Sequence, residues 1–226
     1  MITIIRNLLS PAQITAIREG LATADWQDGR VTAGPQSALA KANQQVSETC
    51  PQGRALSAII TTELERHPLF LSAALPRHLY PPLFNRYAPG MSFGAHIDNA
   101  LRTIPGTPYR IRTDLSATLF LEDPENYDGG ELQFADGDAQ HSIKRPAGDL
   151  VLYPANTLHL ITPVTRGTRL AAFFWVQSLI KDNAARAILH DMDIAIRELA
   201  QTDPNAPAVL RLTGSYHNLV RRWAEL

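Results

Sequence analysis

Cysteine is almost absent from this sequence: Cys50 stands alone among 226 residues. A lone thiol excludes an intramolecular disulfide and any cysteine-based zinc cluster, and it points to the reducing cytoplasm as the natural compartment. Long apolar runs are missing too. No stretch approaches the ~20 residues that a membrane-crossing helix needs. Met1-Ile-Thr-Ile-Ile-Arg6 lacks the charged start and long apolar core of a secretory leader, so no membrane role is expected. Neither sign of charge dominates, with 21 Lys and Arg against 22 Asp and Glu and a net charge of -1. Without a basic stripe interleaved with aromatics, nucleic acid is not an expected partner. Glycine-rich phosphate loops and internal repeats are also lacking. What remains is an ordinary globular composition, 45% hydrophobic, long enough for one main domain with a sizeable core and some appended structure.

The first part of the chain has helical periodicity. Ser10-Pro11-Ala12-Gln13 supplies an N-cap, a proline for the first helical position and the glutamine of a capping box, with Ile14, Ile17 and Leu21 following at helical spacing. A second helix is predicted over Arg54 to Arg66, with Leu56, Ile59, Ile60 and Leu64 as its buried stripe and His67-Pro68 as its end. Val31 to Pro51 shows no clear period. From Leu83 to Gln177 the pattern changes to strands separated by Gly, Pro and Asp, as an antiparallel double-stranded β-helix requires. There, Leu115, Ala117, Leu119 and Leu121 alternate with Ser116, Thr118 and Phe120, a set that can face a site. Beyond Asp182 the period is helical again, divided by Asp203-Pro204-Asn205-Ala206-Pro207 into two helices that either pack on the core or pair with a second copy of the chain. The expected fold class is therefore α+β. Residues 1–80 form an N-terminal helical support region, 81–178 a jelly-roll core, and 179–226 a C-terminal helical extension.

Within the strand region, His96-x-Asp98 is followed by His159 and then Arg169. Residues two apart on an extended strand share a face, so His96 and Asp98 can reach one ion without bending the backbone. The Ala88-Pro89-Gly90 turn signal precedes them. His159 lies in the short apolar run Leu158-His159-Leu160-Ile161, which suits a strand that folds back toward the pair. Two imidazoles and a carboxylate on one face suit non-heme Fe(II), with the remaining positions open. Alone, a His-x-Asp pair is weak evidence, and Arg169 strengthens it. In Arg169-Leu-Ala-Ala-Phe-Phe-Trp-Val-Gln177, period two puts Arg169, Ala171, Phe173 and Trp175 on one face and Leu170, Ala172, Phe174 and Val176 on the other. A strand apolar on both faces is buried on both, so its arginine needs an anionic partner. An internal salt bridge is one solution. A bound dicarboxylate fits the planar guanidinium fork better.

Tyr87-Ala-Pro-Gly90-Met-Ser-Phe-Gly-Ala-His96-Ile-Asp98, Asp128-Gly-Gly-Glu-Leu132, Pro146-Ala-Gly-Asp-Leu-Val-Leu-Tyr153 and His159-Leu-Ile-Thr-Pro-Val-Thr-Arg-Gly-Thr-Arg169 occur in this order. With them, residues 83 to 177 resemble the Fe(II)- and 2-oxoglutarate-dependent dioxygenases of the prolyl 4-hydroxylase type. The whole chain, tail included, is similar to the bacterial PKHD-type hydroxylases. The resemblance implies that His96, Asp98 and His159 hold Fe(2+) and serve catalysis, and that Arg169 clamps the far carboxylate of 2-oxoglutarate. It also implies that dioxygen and 2-oxoglutarate are consumed, succinate and carbon dioxide are released, and L-ascorbate keeps the iron ferrous. Tyr87 stands where relatives often place a hydroxyl that assists the carboxylate, although an aromatic packed in the barrel explains it equally well. Where many relatives carry a small hydroxyl residue two positions after the arginine, this chain has Ala171. That departure shifts the expected secondary contacts to Tyr87 or Thr118.

The segment from Asn99 to Thr113 carries Arg102, Arg110 and Arg112, which read either as a basic rim attracting an anionic substrate or as a solvated loop with acidic partners such as Asp114 and Glu122. His190-Asp191-Met192-Asp193 suggests a second metal cluster, but helix geometry spreads those side chains around the axis. Two further function classes stand beside the hydroxylase. One is a sensor module that binds 2-oxoglutarate and iron without turnover; the other is a cupin-like metal protein indifferent to 2-oxoglutarate. The substrate is an unidentified small molecule or protein.

Overall fold

The structure, a computed structural model, describes residues 1–136 and 139–226. An eight-stranded sheet runs in the order Thr3–Ile5, Leu150–Pro154, Leu115–Phe120, Arg169–Ser178, Leu83–Tyr87, Gln44–Val46 and Trp26–Asp28, and Pro76–Leu79 pairs with the far end of Arg169–Ser178. A five-stranded sheet runs Ala139–Ile143, Leu132–Asp136, His159–Ile161, Ser92–His96 and Lys41–Ala42. Leu101–Thr103 and Arg110–Arg112 form a separate two-stranded ribbon. Every strand pair among them is antiparallel. The chain is thus a mixed helix and sheet protein with large antiparallel sheets.

Among the described residues, six α-helices accompany the sheets: α1 (Pro11–Ala22), α2 (Pro35–Leu39), α3 (Pro51–Leu64), α4 (Pro68–Ala74), α5 (Asn183–Thr202) and α6 (Pro207–Trp223). In α1 the capping box forms as the sequence predicts: Ser10 N donates to Gln13 Oε1 at 2.8 Å and Gln13 N donates to the Ser10 hydroxyl oxygen at 3.4 Å. Ile14, Ile17 and Leu21 are its buried stripe. Helix α3 corrects the expected bounds, because Pro51 occupies the first helical position after extended Cys50 and the helix closes at Leu64, short of Arg66. Pro68 does end it, but the same proline opens α4, capped by His67 Nδ1 accepting from Phe70 N. The aperiodic stretch from Val31 to Pro51 also has structure: α2 and two short strands, one in each sheet. The N-terminal region is therefore only partly helical, since Thr3–Ile5, Trp26–Asp28, Lys41–Ala42, Gln44–Val46 and Pro76–Leu79 all join the sheets.

The larger sheet is covered on both faces by different material. Leu115, Ala117, Leu119, Leu150, Leu152, Ala172, Phe174 and Val176 pack with Ile14, Ile17, Leu21, Leu56, Ile60, Leu64 and Phe70 of α1, α3 and α4. From the opposite face, Tyr87, Phe120, Val151 and Tyr153 meet Leu132, Phe134 and Ile161 of the smaller sheet. Period two along each strand assigns alternate residues to these two cores, so the alternation expected at Leu115 to Phe120 and on both faces of Arg169 to Val176 is realised. Helices α5 and α6 pack on each other through a third cluster that contains Leu189, Tyr216, Leu219 and Trp223. No helix among the described residues is long and apolar enough to cross a membrane.

Candidate metal and anion site

His159 stands directly opposite His96 across the ladder joining His159–Ile161 to Ser92–His96. Asp98 lies two residues beyond, past the end of its strand. The expectation that His96 and Asp98 share one strand is corrected to that extent: the strand ends on the His96–His159 pair, and Asp98 lies just outside it. Their candidate ligand atoms lie within 4.8 Å of one another. Asp98 Oδ1 is 4.0 Å from His96 Nε2, and Asp98 Oδ2 is 4.0 Å from His159 Nε2.

The orientation of each imidazole is fixed from behind. His96 Nδ1 is 2.8 Å from the Gly94 carbonyl and His159 Nδ1 is 2.9 Å from the Thr157 carbonyl. A carbonyl oxygen only accepts, so each Nδ1 carries the proton and donates, leaving both Nε2 lone pairs turned to the gap. Phe93 stacks on His96 with ring centroids 3.5 Å apart, and Tyr153 meets His159 edge-on at 5.0 Å. Burial, and then the nearby His159, pushes the His96 pKa down to about 4, which keeps that imidazole neutral. The Ser116 hydroxyl donates to Asp98 Oδ2 and holds the carboxylate in place. Neutral imidazoles, one carboxylate and ordered supporting partners are the donor set that a divalent iron with open positions takes.

Arg169 is buried to 1% exposure, and its Nε and Nη2 have no hydrogen-bond partner. Among the described residues it forms no ion pair with a carboxylate, which removes the internal salt bridge expected as one alternative. The rings of Tyr87 and Phe120 flank its guanidinium at 5.4 and 5.3 Å. Tyr87 is Arg169's neighbour in strand register, and both are in the cavity wall. Burial raises the Tyr87 pKa, so its hydroxyl stays protonated. Gly130, at φ 66°, makes room for this arginine: a Cβ there would lie 3.0 Å from Arg169 Cδ and 3.1 Å from the Tyr127 ring. The Tyr127 hydroxyl is likewise buried and unmatched. A charged fork without a counter-ion costs several kcal/mol in the interior, and a bound anion removes that cost.

The three candidate ligands, Arg169, Tyr87 and Thr118 line one cavity. Of the three loop arginines expected at its rim, only Arg102 reaches it. Arg112 is engaged by Asp114 at 2.6 Å and by Glu225 of the tail at 2.8 Å, which is why it turns away. Arg110 is exposed and lies outside the cavity wall. Glu122 pairs with Arg18 rather than with the loop. His190 is buried against the Ser72 hydroxyl at 2.9 Å and Asp193 pairs with Arg197, so that run carries no metal cluster. Among the cavity residues that sequence reasoning did not single out are Lys41, Gln45 and Asn85. Lys41 and Gln45 sit on strands of two and three residues, too short for an apolar alternation to mark them, and Asn85 is the polar centre of a strand that is apolar at Leu83, Phe84 and Tyr87.

Residues 82–177, the span that contains the candidate ligands and Arg169, match the 2OG-Fe(II) oxygenase superfamily. Residues 183–225 match the PKHD-type hydroxylase C-terminal domain. A PKHD-type hydroxylase of Xanthomonas campestris pv. campestris is 53% identical over 228 residues, covering 100% of both chains. One from Burkholderia cenocepacia is 54% identical over 222 residues, covering 98% of each. The chain belongs to the PKHD-type hydroxylase family. Among solved structures, a Trichoplax adhaerens prolyl hydroxylase in complex with a peptide fragment is similar at TM-score 0.57 and 16% identity, over 78% of this chain and 83% of that one. HygX from Streptomyces hygroscopicus, with nickel and 2-oxoglutarate bound, is similar at TM-score 0.54 and 14% identity, over 78% and 82%. At these identities the two structures bear on the fold alone.

Proposed function

We propose that the chain hydroxylates its substrate as an Fe(II)- and 2-oxoglutarate-dependent dioxygenase, with His96, Asp98 and His159 as the iron ligands and Arg169 as the clamp on the co-substrate's far carboxylate. The observation that carries this reading is the unpaired, buried guanidinium of Arg169 in the same cavity as the triad. Iron and 2-oxoglutarate together supply the oxidising chemistry, in which dioxygen is consumed and succinate and carbon dioxide leave. The protein's part is to hold and exclude. The Gly94 and Thr157 carbonyls keep each Nε2 aimed, Ser116 steadies Asp98, and the fork of Arg169 takes a carboxylate in two parallel hydrogen bonds. Tyr87 and Phe120 wall off that carboxylate from water, and the Tyr87 hydroxyl or Thr118 offers the contact that Ala171 does not.

In this reading the two sheets form a double-stranded β-helix, or jelly roll, over residues 81–178. Residues 1–80 support it, and residues 179–226 are an extension available for pairing with a second copy. L-Ascorbate serves as the reductant that restores ferrous iron, and the compartment is the cytoplasm. The test is stoichiometric: anaerobically prepared Fe(II)-protein given 2-oxoglutarate and air should form succinate at a rate that disappears in His159→Ala and Arg169→Ala. Tight 2-oxoglutarate binding with no succinate under any candidate substrate would instead favour the sensor module. Unchanged activity in Arg169→Ala would favour the cupin-like metal protein.

A further inference from the structure

Lys41 is the buried cation that this function leaves unused. It is 7% exposed, lines the metal cavity, and has no carboxylate within ion-pair reach among the described residues. Its Nζ donates to Thr32 Oγ1 at 3.0 Å, and that hydroxyl donates onward to Gln45 Oε1 at 2.6 Å. This chain of donors holds the Gln45 amide by its Oε1 and leaves its Nε2 buried and without an acceptor. An ammonium and an amide N–H, held by one hydroxyl, both lack the acceptor that would complete them.

The charges point the same way. Lys41, Arg102 and Arg169 line the cavity with a single carboxylate, Asp98. The double charge of iron and the charge of Arg169 are balanced by Asp98 and the two carboxylates of 2-oxoglutarate. Arg102 is offset by Glu48 at 3.1 Å, and its guanidinium carbon lies over the Trp175 ring, 4.2 Å from the centre. Only Lys41 remains uncompensated. Burial first, then Arg102, brings its pKa down to about 8, so it is still mostly charged at neutral pH. Its Nζ is 5.0 Å from the centre of Phe93, the ring that stacks on His96, and 5.8 Å from Phe173. The cation therefore sits one aromatic ring away from a metal ligand, beside the walls of Phe173 and Trp175.

We propose that the hydroxylated substrate carries a carboxylate, and that Lys41 and Gln45 receive it while the apolar remainder lies along Phe173 and Trp175 toward the metal. This rests on the dioxygenase reading. The position, rather than the whole loop of arginines, selects the anion.

The test is saturation-transfer NMR on full-length protein loaded with Zn(II), as a diamagnetic stand-in for iron, and saturating 2-oxoglutarate. The probes are acetate and acetamide, both small enough to enter whatever the true substrate's shape. Acetate should show transfer at least about tenfold stronger than acetamide, Lys41→Met should lose that preference, and Lys41→Arg should recover part of it. Thr32→Val, which leaves the charge in place but frees its tether, should weaken the preference and checks the result should Lys41→Met fold poorly. If 2-oxoglutarate binds and acetate is not preferred, the proposal is overturned and the dioxygenase reading stands. A loss of 2-oxoglutarate binding in Lys41→Met as large as in Arg169→Ala would assign the lysine to the co-substrate, and also overturn it. Failure of 2-oxoglutarate to bind the parent protein would overturn the reading and the proposal together.

Discussion

The two faces of the large sheet bury comparable material to opposite ends. Toward α1, α3 and α4, the strands present Leu119, Leu152, Ala172, Phe174 and Val176, all apolar and at most 2% exposed. Toward the smaller sheet, the same strands and their neighbours present Arg169, Asn85 and Gln45, buried as well yet with polar atoms that no partner among the described residues completes. Interiors normally satisfy their polar groups. The first face is what folding demands, and the second is folded around something the chain does not contain. One residue step along Arg169–Ser178 separates them.

Four perturbations would break or sharpen that contrast. The largest effect is expected from His159→Ala, which removes one of three ligands: Fe(II) retained through a desalting column should fall from near one equivalent to background while circular dichroism is unchanged. Next comes the pair Arg169→Ala and Phe174→Ala, neighbours on one strand but on opposite faces. The first should cost about 2–5 kcal/mol of 2-oxoglutarate binding by calorimetry, with no loss of stability in the ligand-free protein, because an unpaired charge has been removed from the interior. The second should cost about 3–5 kcal/mol in urea unfolding, with 2-oxoglutarate affinity per folded molecule retained. Equal losses of stability in both variants would erase the distinction between the faces.

Ser116→Ala is expected to act more gently. It leaves all three ligands and releases only Asp98, so iron affinity or turnover should drop about 10- to 100-fold, the usual consequence of losing a supporting partner. The smallest effect concerns a buried polar pair that is satisfied, His190 and Ser72, where α5 meets α4. Burial lowers the His190 pKa below its ordinary value of 6.5. As pH falls below about 6.5, the unfolded chain binds a proton that the folded chain refuses, so stability declines until the folded value is passed. The urea midpoint of the parent should therefore fall between pH 7.5 and 5.5 by more than that of His190→Gln.

The sequence revealed the apolar face and the candidate iron ligands more readily than the walls around them. His96, Asp98, His159 and Arg169 were legible because their chemistry constrains residue type and because period two betrayed a doubly buried strand around the arginine. Lys41 and Gln45 were not. Their burial comes from pairing with Ser92–His96 and Leu83–Tyr87, some 40 or more residues downstream in the chain, and strands of two or three residues carry no local pattern. The loop arginines erred in the other direction: charge alone suggested a common rim, but Arg112 is claimed by Asp114 and by Glu225, a tail residue more than 100 positions away. Similarly, Pro51 and Pro68 each start a helix where the hydrophobic stripe alone placed a later start or only an end.

The most direct test of the second face is an anaerobic titration of the Fe(II)-loaded protein with 2-oxoglutarate, following the visible metal-to-ligand charge-transfer band. The band should grow to saturation in the parent, require on the order of 30- to 5,000-fold more co-substrate in Arg169→Ala, and be absent in His159→Ala. An iron-loaded parent with no band, or an Arg169→Ala variant that saturates at the parent's concentration, would contradict the assignment of that face to iron and 2-oxoglutarate.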